Sequence, residues 1–230
     1  MTTHKAHRHG ETPGHPDHGP GEPDPAHGRT LRDDESAWDA RYAELDRVWS
    51  GEPNHALTVE AATLSPARAL DVGCGEGADA VWLATRGWTV TALDPSGVAL
   101  ARARAAAEAS GVLVDWVHAG LAEADLPVGG FDLVSVFYPA LDLETGPVER
   151  LASLVAPGGT LVVVHHADVD RERAIEHGFD PDLLLSPAGV AAGLGEGWDV
   201  VGPERRPRSI SGGSGAHHHD DLVVRATRRP

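Results

Sequence analysis

Hydrophobic positions along this 230-residue chain fall into three regimes. Residues 1 to about 32 carry almost no bulky apolar side chain and hold six histidines, five prolines and five glycines. Such a stretch cannot bury enough surface to offset the entropy of ordering it, so it is expected as a disordered tail. From Asp34 the apolar residues recur at helical spacing, with Trp38, Tyr42, Leu45 and Trp49 on one face until Gly51 to Pro53 breaks the pattern. A second short helix is expected from Asn54 to Leu64, ahead of Ser65-Pro66. Residues 33–66 thus read as leading helices that cap a domain spanning 33–230.

From Arg68 onward the pattern changes to short apolar runs alternating with helical stretches. Strands are expected at Arg68 to Val72, Thr89 to Leu93, Leu113 to Val117, Phe131 to Phe137 and Thr160 to Val164. Valine-rich runs without alternation fit strands buried on both faces of a parallel sheet. Helices are expected from Ala78 to Arg86 with Gly87 as the stop, and from a Ser96 cap to Ser110 with Gly111 beyond. Two more are expected, from Pro147 to Val155 and from Ser186 or Pro187, where proline suits a first turn. The chain then closes with strand-like runs at Trp198 to Val201 and Asp221 to Ala226, joined by a Gly/Ser-rich loop. There is no internal repeat. The fold class implied is α/β: a Rossmann-like sheet of seven mostly parallel strands with an antiparallel C-terminal strand and helices on both faces.

The chemistry concentrates in Asp71-Val72-Gly73-Cys74-Gly75-Glu76-Gly77, followed 17 residues after Gly77 by Asp94. Glycines at a strand-to-helix turn let backbone approach a ligand closely, and an acid ending the next strand accepts hydrogen bonds from ribose hydroxyls. Read as G-x-G-x-x-A through Gly73, Gly75 and Ala78, the stretch also matches a dinucleotide fingerprint. Asp71 separates the alternatives, because a carboxylate there faces the ammonium of a methionine moiety and would repel a pyrophosphate. The run Leu154-Val-Ala-Pro-Gly-Gly-Thr-Leu-Val-Val-Val164 and the paired strands at the end of the chain point the same way.

With these features the sequence resembles the class I S-adenosylmethionine-dependent methyltransferases over about Trp38 to Arg229. The resemblance implies S-adenosylmethionine as cofactor, with Asp71, Gly73, Cys74, Gly75 and Gly77 around its methionine part. Asp94 and Pro95 would meet the ribose, and Gly120 and Leu121 the adenine edge, although glycine stands where this family often has an acid. Trp38-x-x-Arg41-Tyr42 and Trp49-Ser-Gly-x-Pro-Asn54 are similar to a cap of the tellurite-resistance and thiol-methylating subgroup, in which Tyr42 would close over the cofactor. His177-Gly-Phe-Asp-Pro-Asp182 fits that subgroup too, where the insertion walls the acceptor site. Phe137-Tyr138-Pro139-Ala140 would lie next to the reactive methyl and lacks the Asn/Asp-Pro-Pro-Tyr pattern that grips an exocyclic amine.

Candidate catalytic residues are Tyr138, which would shape the acceptor site or donate a hydrogen bond, and His165 and His166, which end the fifth strand on the ligand side. Either histidine is a candidate general base near neutral pH. His217 to His219 precede the last strand beside Asp220 and Asp221, and joint metal binding with His165 and His166 is one reading of the two clusters. No protein metal site is assigned from spacing. The tail histidines at 4, 7, 9, 15, 18 and 27 are non-contiguous and would at most bind a divalent metal loosely.

Charge narrows the partners. The net charge of −16 argues against a nucleic-acid substrate, since phosphate binding needs clustered Arg and Lys. Protonation of all 14 histidines would bring it to −2, so charge repulsion weakens near histidine's pKa of about 6.5. No apolar run approaches the roughly 20 residues that span a bilayer, and the polar start lacks a signal-peptide pattern. The single cysteine, Cys74, cannot form an internal disulfide and suits a cytoplasmic protein. It also excludes the multi-thiol arsenic methyltransferases. One lysine against 18 arginines points to a GC-rich bacterial genome.

The leading expectation, implied by that resemblance, is methyl transfer to a soft chalcogen centre such as tellurite, selenite or a thiol; soft nucleophiles need no strong base, which agrees with the lack of an obvious catalytic pair. The alternatives are an O- or N-methyltransferase of secondary metabolites using His165 or His166, and a metal-handling protein working through its histidine-rich tail.

Overall fold

The computed structural model describes residues 35–176, 179–208 and 218–230. The tail reading of residues 1–32, and the roles considered for His177 and His217, lie outside them. The described strands form one sheet in the order β3-β2-β1-β4-β5-β7-β6. Its strands are β1 (Arg68–Val72), β2 (Thr89–Asp94), β3 (Asp115–His118), β4 (Phe131–Phe137), β5 (Val155–His166), β6 (Trp198–Pro207) and β7 (Asp220–Arg228). Strands β1 to β5 pair in parallel, and β7 runs antiparallel to both β5 and β6. The expected seven-stranded, mostly parallel sheet with an antiparallel final strand is the observed one.

Both faces of the central strands are buried, which is why their sequences are apolar without alternation. Leu70, Val72, Leu161 and Val163 belong to one core cluster, with Leu151 and Leu154 of α5 (Pro147–Leu154) and Val190 of α7 (Pro187–Gly193). Ala69, Val162 and Val164 point to the other face, against Leu57 of α2 (His55–Ala61) and Ala80 and Leu83 of α3 (Ala78–Thr85). Each fully buried Leu or Val contributes roughly 1.5–3 kcal/mol by leaving water. Every parallel strand therefore ends on one side of the sheet with its loop held firmly from both faces.

Several helix ends follow the sequence signals. Ser96 caps α4 (Gly97–Ser110) by accepting from the Ala99 N–H at 3.1 Å, and Ser186 does the same for α7 from Gly189 at 3.0 Å. The leading region differs. Helix α1 covers only Glu35–Ala43, so Trp49 lies beyond it and Leu45 is exposed. Tertiary bonds win over helical periodicity here. The Arg102 guanidinium takes the Tyr42 and Leu45 carbonyls at 2.7 Å each, and Glu76 takes the Val48 and Trp49 N–H groups. Asp39 of α1 accepts from Ser96 Oγ at 2.6 Å and the Val98 N–H at 3.1 Å, docking α1 on the start of α4. The Ser96 bond holds its carboxyl below the usual range.

Helix α2 stops at Ala61, short of Leu64, and β5 begins at Val155, five residues before the expected strand. A short helix α6 (Arg171–Glu176) lies between β5 and α7 where none was expected. Strand β3 starts two residues late, leaving Leu113 exposed after the turn that ends α4.

Candidate active site

A cleft opens beyond the carboxyl ends of β1, β2 and β4, lined by the glycine loop, the leading segment and the residues after β4. The loop is tied to β2 by Gly73 and Cys74 N–H groups donating to the Leu93 carbonyl at 2.9 and 3.0 Å. Gly73 has φ +69 and no atom within 4 Å of where a Cβ would stand, so a side chain there would project into ligand space. At Gly75, φ +52, a Cβ would come within 2.8 Å of Tyr42 Oη. The leading segment thus sits directly on the loop.

Three carboxylates border this end. Asp94 is 5% exposed and accepts from the Gly75 N–H at 2.8 Å and the Ser96 N–H at 2.9 Å. Burial pushes it up to about 6 despite those two bonds. Each of its oxygens keeps a second lone pair for a ribose hydroxyl. Asp71 is 2% exposed; one oxygen accepts from Ser135 Oγ at 3.4 Å, and the other has no hydrogen-bond partner. Burial, then the charges of Asp79 and Asp94, hold it well above the usual carboxylate range. Asp79, in the first turn of α3, was not anticipated from the sequence. Asn54 donates to both its oxygens, from the backbone at 2.6 Å and the side-chain amide at 2.7 Å. Burial raises Asp79 to about 6.

Tyr42, 3% exposed, accepts from Trp49 Nε1 at 2.9 Å, and both line the cleft with Trp38 and Pro95. Glu76 is the hinge pin of this closure, bonded to the Val48 and Trp49 N–H groups and to Arg102 at 2.8 Å. Its position inside the glycine motif was visible in the sequence; its partner 26 residues away was not. Cys74 and Gly77 line the cleft too, and burial holds the Cys74 thiol well above its usual pKa, so it stays protonated. Gly120 and Leu121, expected at the adenine edge, are buried after β3 and do not line the cleft.

At the other end stand Phe137 and Tyr138. Tyr138 adopts φ 51, a left-handed conformation that non-glycine residues rarely take, and its ring is thereby turned into the cleft wall. Its hydroxyl donates to Asp221 Oδ2 at 2.8 Å and accepts from Arg208 Nε at 3.0 Å, with the guanidinium carbon 4.9 Å from the ring centre. Burial, followed by the Asp221 charge, raises the phenol's pKa, so it remains a neutral donor. His166 stacks between Tyr138 at 4.3 Å and His218 at 3.8 Å, with Nδ1 3.4 Å from Asp221 Oδ1. The β5–β7 register sets Asp221 opposite His166. Asp221, absent from the catalytic candidates read in the sequence, and Arg208, which the sequence offered as a contact for an anionic acceptor or an exposed loop arginine and which is buried, complete this end.

His165 stands apart. Adjacent strand residues point to opposite faces, and only His166 lines the cleft. The His165 Nδ1 accepts from the His166 N–H at 3.0 Å, and burial pushes the ring's pKa down to about 4. Among the described residues, no group of three or more His, Cys, Asp or Glu side chains is arranged to hold a metal ion, so the joint histidine site is not formed by them. No helix among them is long and apolar enough to cross a membrane.

Residues 69–159 match the family model described as a methyltransferase domain. An uncharacterised methyltransferase of Mycobacterium tuberculosis is 36% identical over 124 residues, 52% of this chain and 61% of that protein. The chain thus spans about three fifths of the length of that curated relative. A ubiquinone biosynthesis O-methyltransferase of Xanthomonas axonopodis pv. citri is 29% identical over 211 residues, 86% of this chain and 78% of its own. Among solved structures, the N-methyltransferase NodS of Bradyrhizobium japonicum in complex with S-adenosyl-L-homocysteine superposes with a TM-score of 0.63. That match is 20% identical and covers 86% of this chain and all of that one. Residues 69–159 of this chain are thus similar to a methyltransferase domain, and the sheet around them has the fold of a solved methyltransferase.

Proposed function

We propose that this protein transfers the methyl group of S-adenosylmethionine to a small-molecule acceptor, and that His166 takes a proton from that acceptor. The observation that carries the reading is one cleft with two differently equipped ends. Asp71 offers a buried oxygen without a hydrogen-bond partner beside the open space at Gly73, and Asp94 borders the same end. Tyr138, His166 and Arg208 line the other. Asp71 would hold the cofactor's ammonium and Asp94 its ribose, with Tyr42 and Trp49 excluding water above them. When bound, the cofactor supplies an electrophilic methyl on a sulfonium, a neutral leaving group. The chain's own task is then alignment, exclusion of water and removal of a proton.

The chalcogen expectation came from the resemblance to the tellurite-resistance subgroup and agreed with the lack of an obvious catalytic pair; His166 and Asp221, with Nδ1 and Oδ1 3.4 Å apart, supply a candidate pair. Asp221 faces Nδ1, so Nε2 is the nitrogen that accepts the acceptor's proton, while Tyr138 and His218 fix the plane of the ring. Thiols, phenols and amines all fit this demand, and the O-methyltransferase relative supports an oxygen acceptor. A second reading, transfer to a chalcogen oxyanion such as tellurite or selenite, is favoured by Arg208, whose cation lines the same wall. The balance of 35 acidic against 19 basic residues supports a small molecule over a nucleic acid.

The test is S-adenosylhomocysteine release across tellurite, selenite, thiols, phenols and amines, with the parent protein and His166→Asn. Turnover of a protonated acceptor that falls about 100-fold in the variant at neutral pH is the expected result. Turnover confined to the oxyanions and indifferent to His166 would establish the second reading. No turnover on any acceptor, together with no binding of S-adenosylhomocysteine, would overturn both.

A further inference from the structure

Resting on the cofactor reading above, we infer that Asp71 and Asp79 form a joint seat for the cofactor's ammonium, which holds a proton in the absence of ligand and gives it up on binding. Both carboxylates border the cleft, and both are buried, at 2% and 6% exposure. Neither is compensated by a cation among the groups that bear on it. Asp71 feels Asp79 and Asp94, takes a hydrogen bond from Ser135 and is eased slightly by the Ala80 backbone; Asp79 is held by Asn54. The other titratable groups at this end are Cys74 and Glu76 of the loop and Tyr42 and Glu52 of the leading segment. The Cys74 thiol and Tyr42 phenol are neutral, and Glu76 is turned away to the Val48 and Trp49 N–H groups and Arg102.

Two buried carboxylates that line one end of a cleft and bear on each other's charge cannot both ionise cheaply, so the pair retains a proton that an isolated aspartate would lose. The residual charge has a direction: the Asp71 oxygen without a partner accepts whatever cation arrives, and Asp79 is locked in place by Asn54 from the leading segment. An ammonium entering the seat replaces the proton, which leaves to solvent. The exchange is balanced, one positive charge in and one out. It also couples the leading segment to loading, because Asn54 grips Asp79 best when that carboxylate is ionised. Asn54's two bonds lower the Asp79 pKa against the effect of burial, which raises it to about 6.

The experiment is titration calorimetry with the purified full chain in two buffers of different ionisation enthalpy, which counts protons released per ligand bound. Two probes separate the ends of the ligand. S-adenosylhomocysteine carries the amino-acid group; 5′-methylthioadenosine keeps the nucleoside and lacks it. Proton release caused by Asp94 meeting the ribose appears with both. At pH 6, S-adenosylhomocysteine is expected to release about half a proton more than 5′-methylthioadenosine, since a group titrating near 6 is half-protonated there. Below that pH its affinity should fall about tenfold per unit. Asp79→Asn removes the difference while binding persists. Asn54→Ala, which keeps both carboxylates and deletes one bond, moves the pH dependence upward. Equal release for the two probes, or an unchanged difference in Asp79→Asn, would overturn the inference. Absence of binding for both probes at every pH overturns the cofactor reading itself.

Discussion

The two ends of the cleft handle charge in opposite ways. At the cofactor end Asp71, Asp79 and Asp94 are buried together, and each is pushed above the usual carboxylate range. At the acceptor end Asp221 is matched by Tyr138 Oη at 2.8 Å, Arg208 Nε at 3.5 Å and His166 Nδ1 at 3.4 Å. One end is unfavourably charged until a cationic ligand arrives; the other holds its acid among cationic and hydroxyl neighbours, with only Asp221 Oδ1 making no hydrogen bond. Substitutions should therefore act with opposite sign on the ligand-free protein. Removing an acid from the first end relieves repulsion and harms binding, whereas removing one from the second leaves neighbours without partners and harms both stability and rate.

The largest effect is expected at Asp221. It orients His166 without lining the wall beside the reacting atoms, which makes it a positioning residue. Asp221→Asn should lower kcat on a protonated acceptor about 100-fold or more with little change in the cofactor's Kd. The pH–rate profile should move as well, because the variant no longer offers a carboxylate to the imidazolium that forms. A uniform fall in kcat with an unshifted profile would reduce Asp221 to a structural role and break the contrast on its acceptor side.

Next in size is Asp94→Asn. On the proposed reading the carboxylate meets two ribose hydroxyls, and at about 1.5–3 kcal/mol for each charged hydrogen bond S-adenosylhomocysteine should bind at least roughly 100-fold more weakly in calorimetry. In the ligand-free state the same variant sets relief of a buried charge against one backbone N–H, of Gly75 or Ser96, left facing an amide NH2. Unchanged affinity would remove Asp94 from the ribose site.

The two ends also differ in how far the sequence reveals them. Gly75 and Asp94, which hydrogen-bond, lie 19 positions apart, and a strand, a loop, a helix and a second strand fix their approach locally. Tyr138 and Asp221 lie 83 positions apart and meet only because β7 pairs antiparallel with β5 in a register that sets Asp221 opposite His166. No local pattern encodes that register. The choice between His165 and His166 was more accessible, since strand alternation allows only one of two neighbours to face a given side. The leading segment misled for a different reason. Tyr42 and Trp49 have helical spacing and do touch, but through a chain reversal held by Glu76 and Arg102, long-range polar partners that periodicity cannot register.

The smallest effect is also the sharpest in sign. The folded-state pKa of Asp71 is raised, so folding favours its protonated form. Its stabilising contribution is complete below the unfolded value near 3.8 and is lost as pH rises through the folded value. At pH 7.5 the ligand-free protein therefore carries a penalty that Asp71→Asn removes, and the amide can donate toward Asp79. A gain of about 1 kcal/mol would raise Tm by roughly 2–4 °C in a domain of this size. On acidification toward pH 5 the parent protonates its own carboxylate and the two melting curves converge. Arg208→Met should do the reverse at pH 7.5, lowering Tm by a comparable amount, because Asp221 and the Tyr138 hydroxyl lose a shared donor in a site where Arg208 is itself only 8% exposed. Shifts of the same sign in both variants would erase the distinction between a strained end and a self-compensated one. Opposite signs, with convergence on acid only for Asp71→Asn, would locate the cleft's unfavourable charge where a cationic cofactor can relieve it.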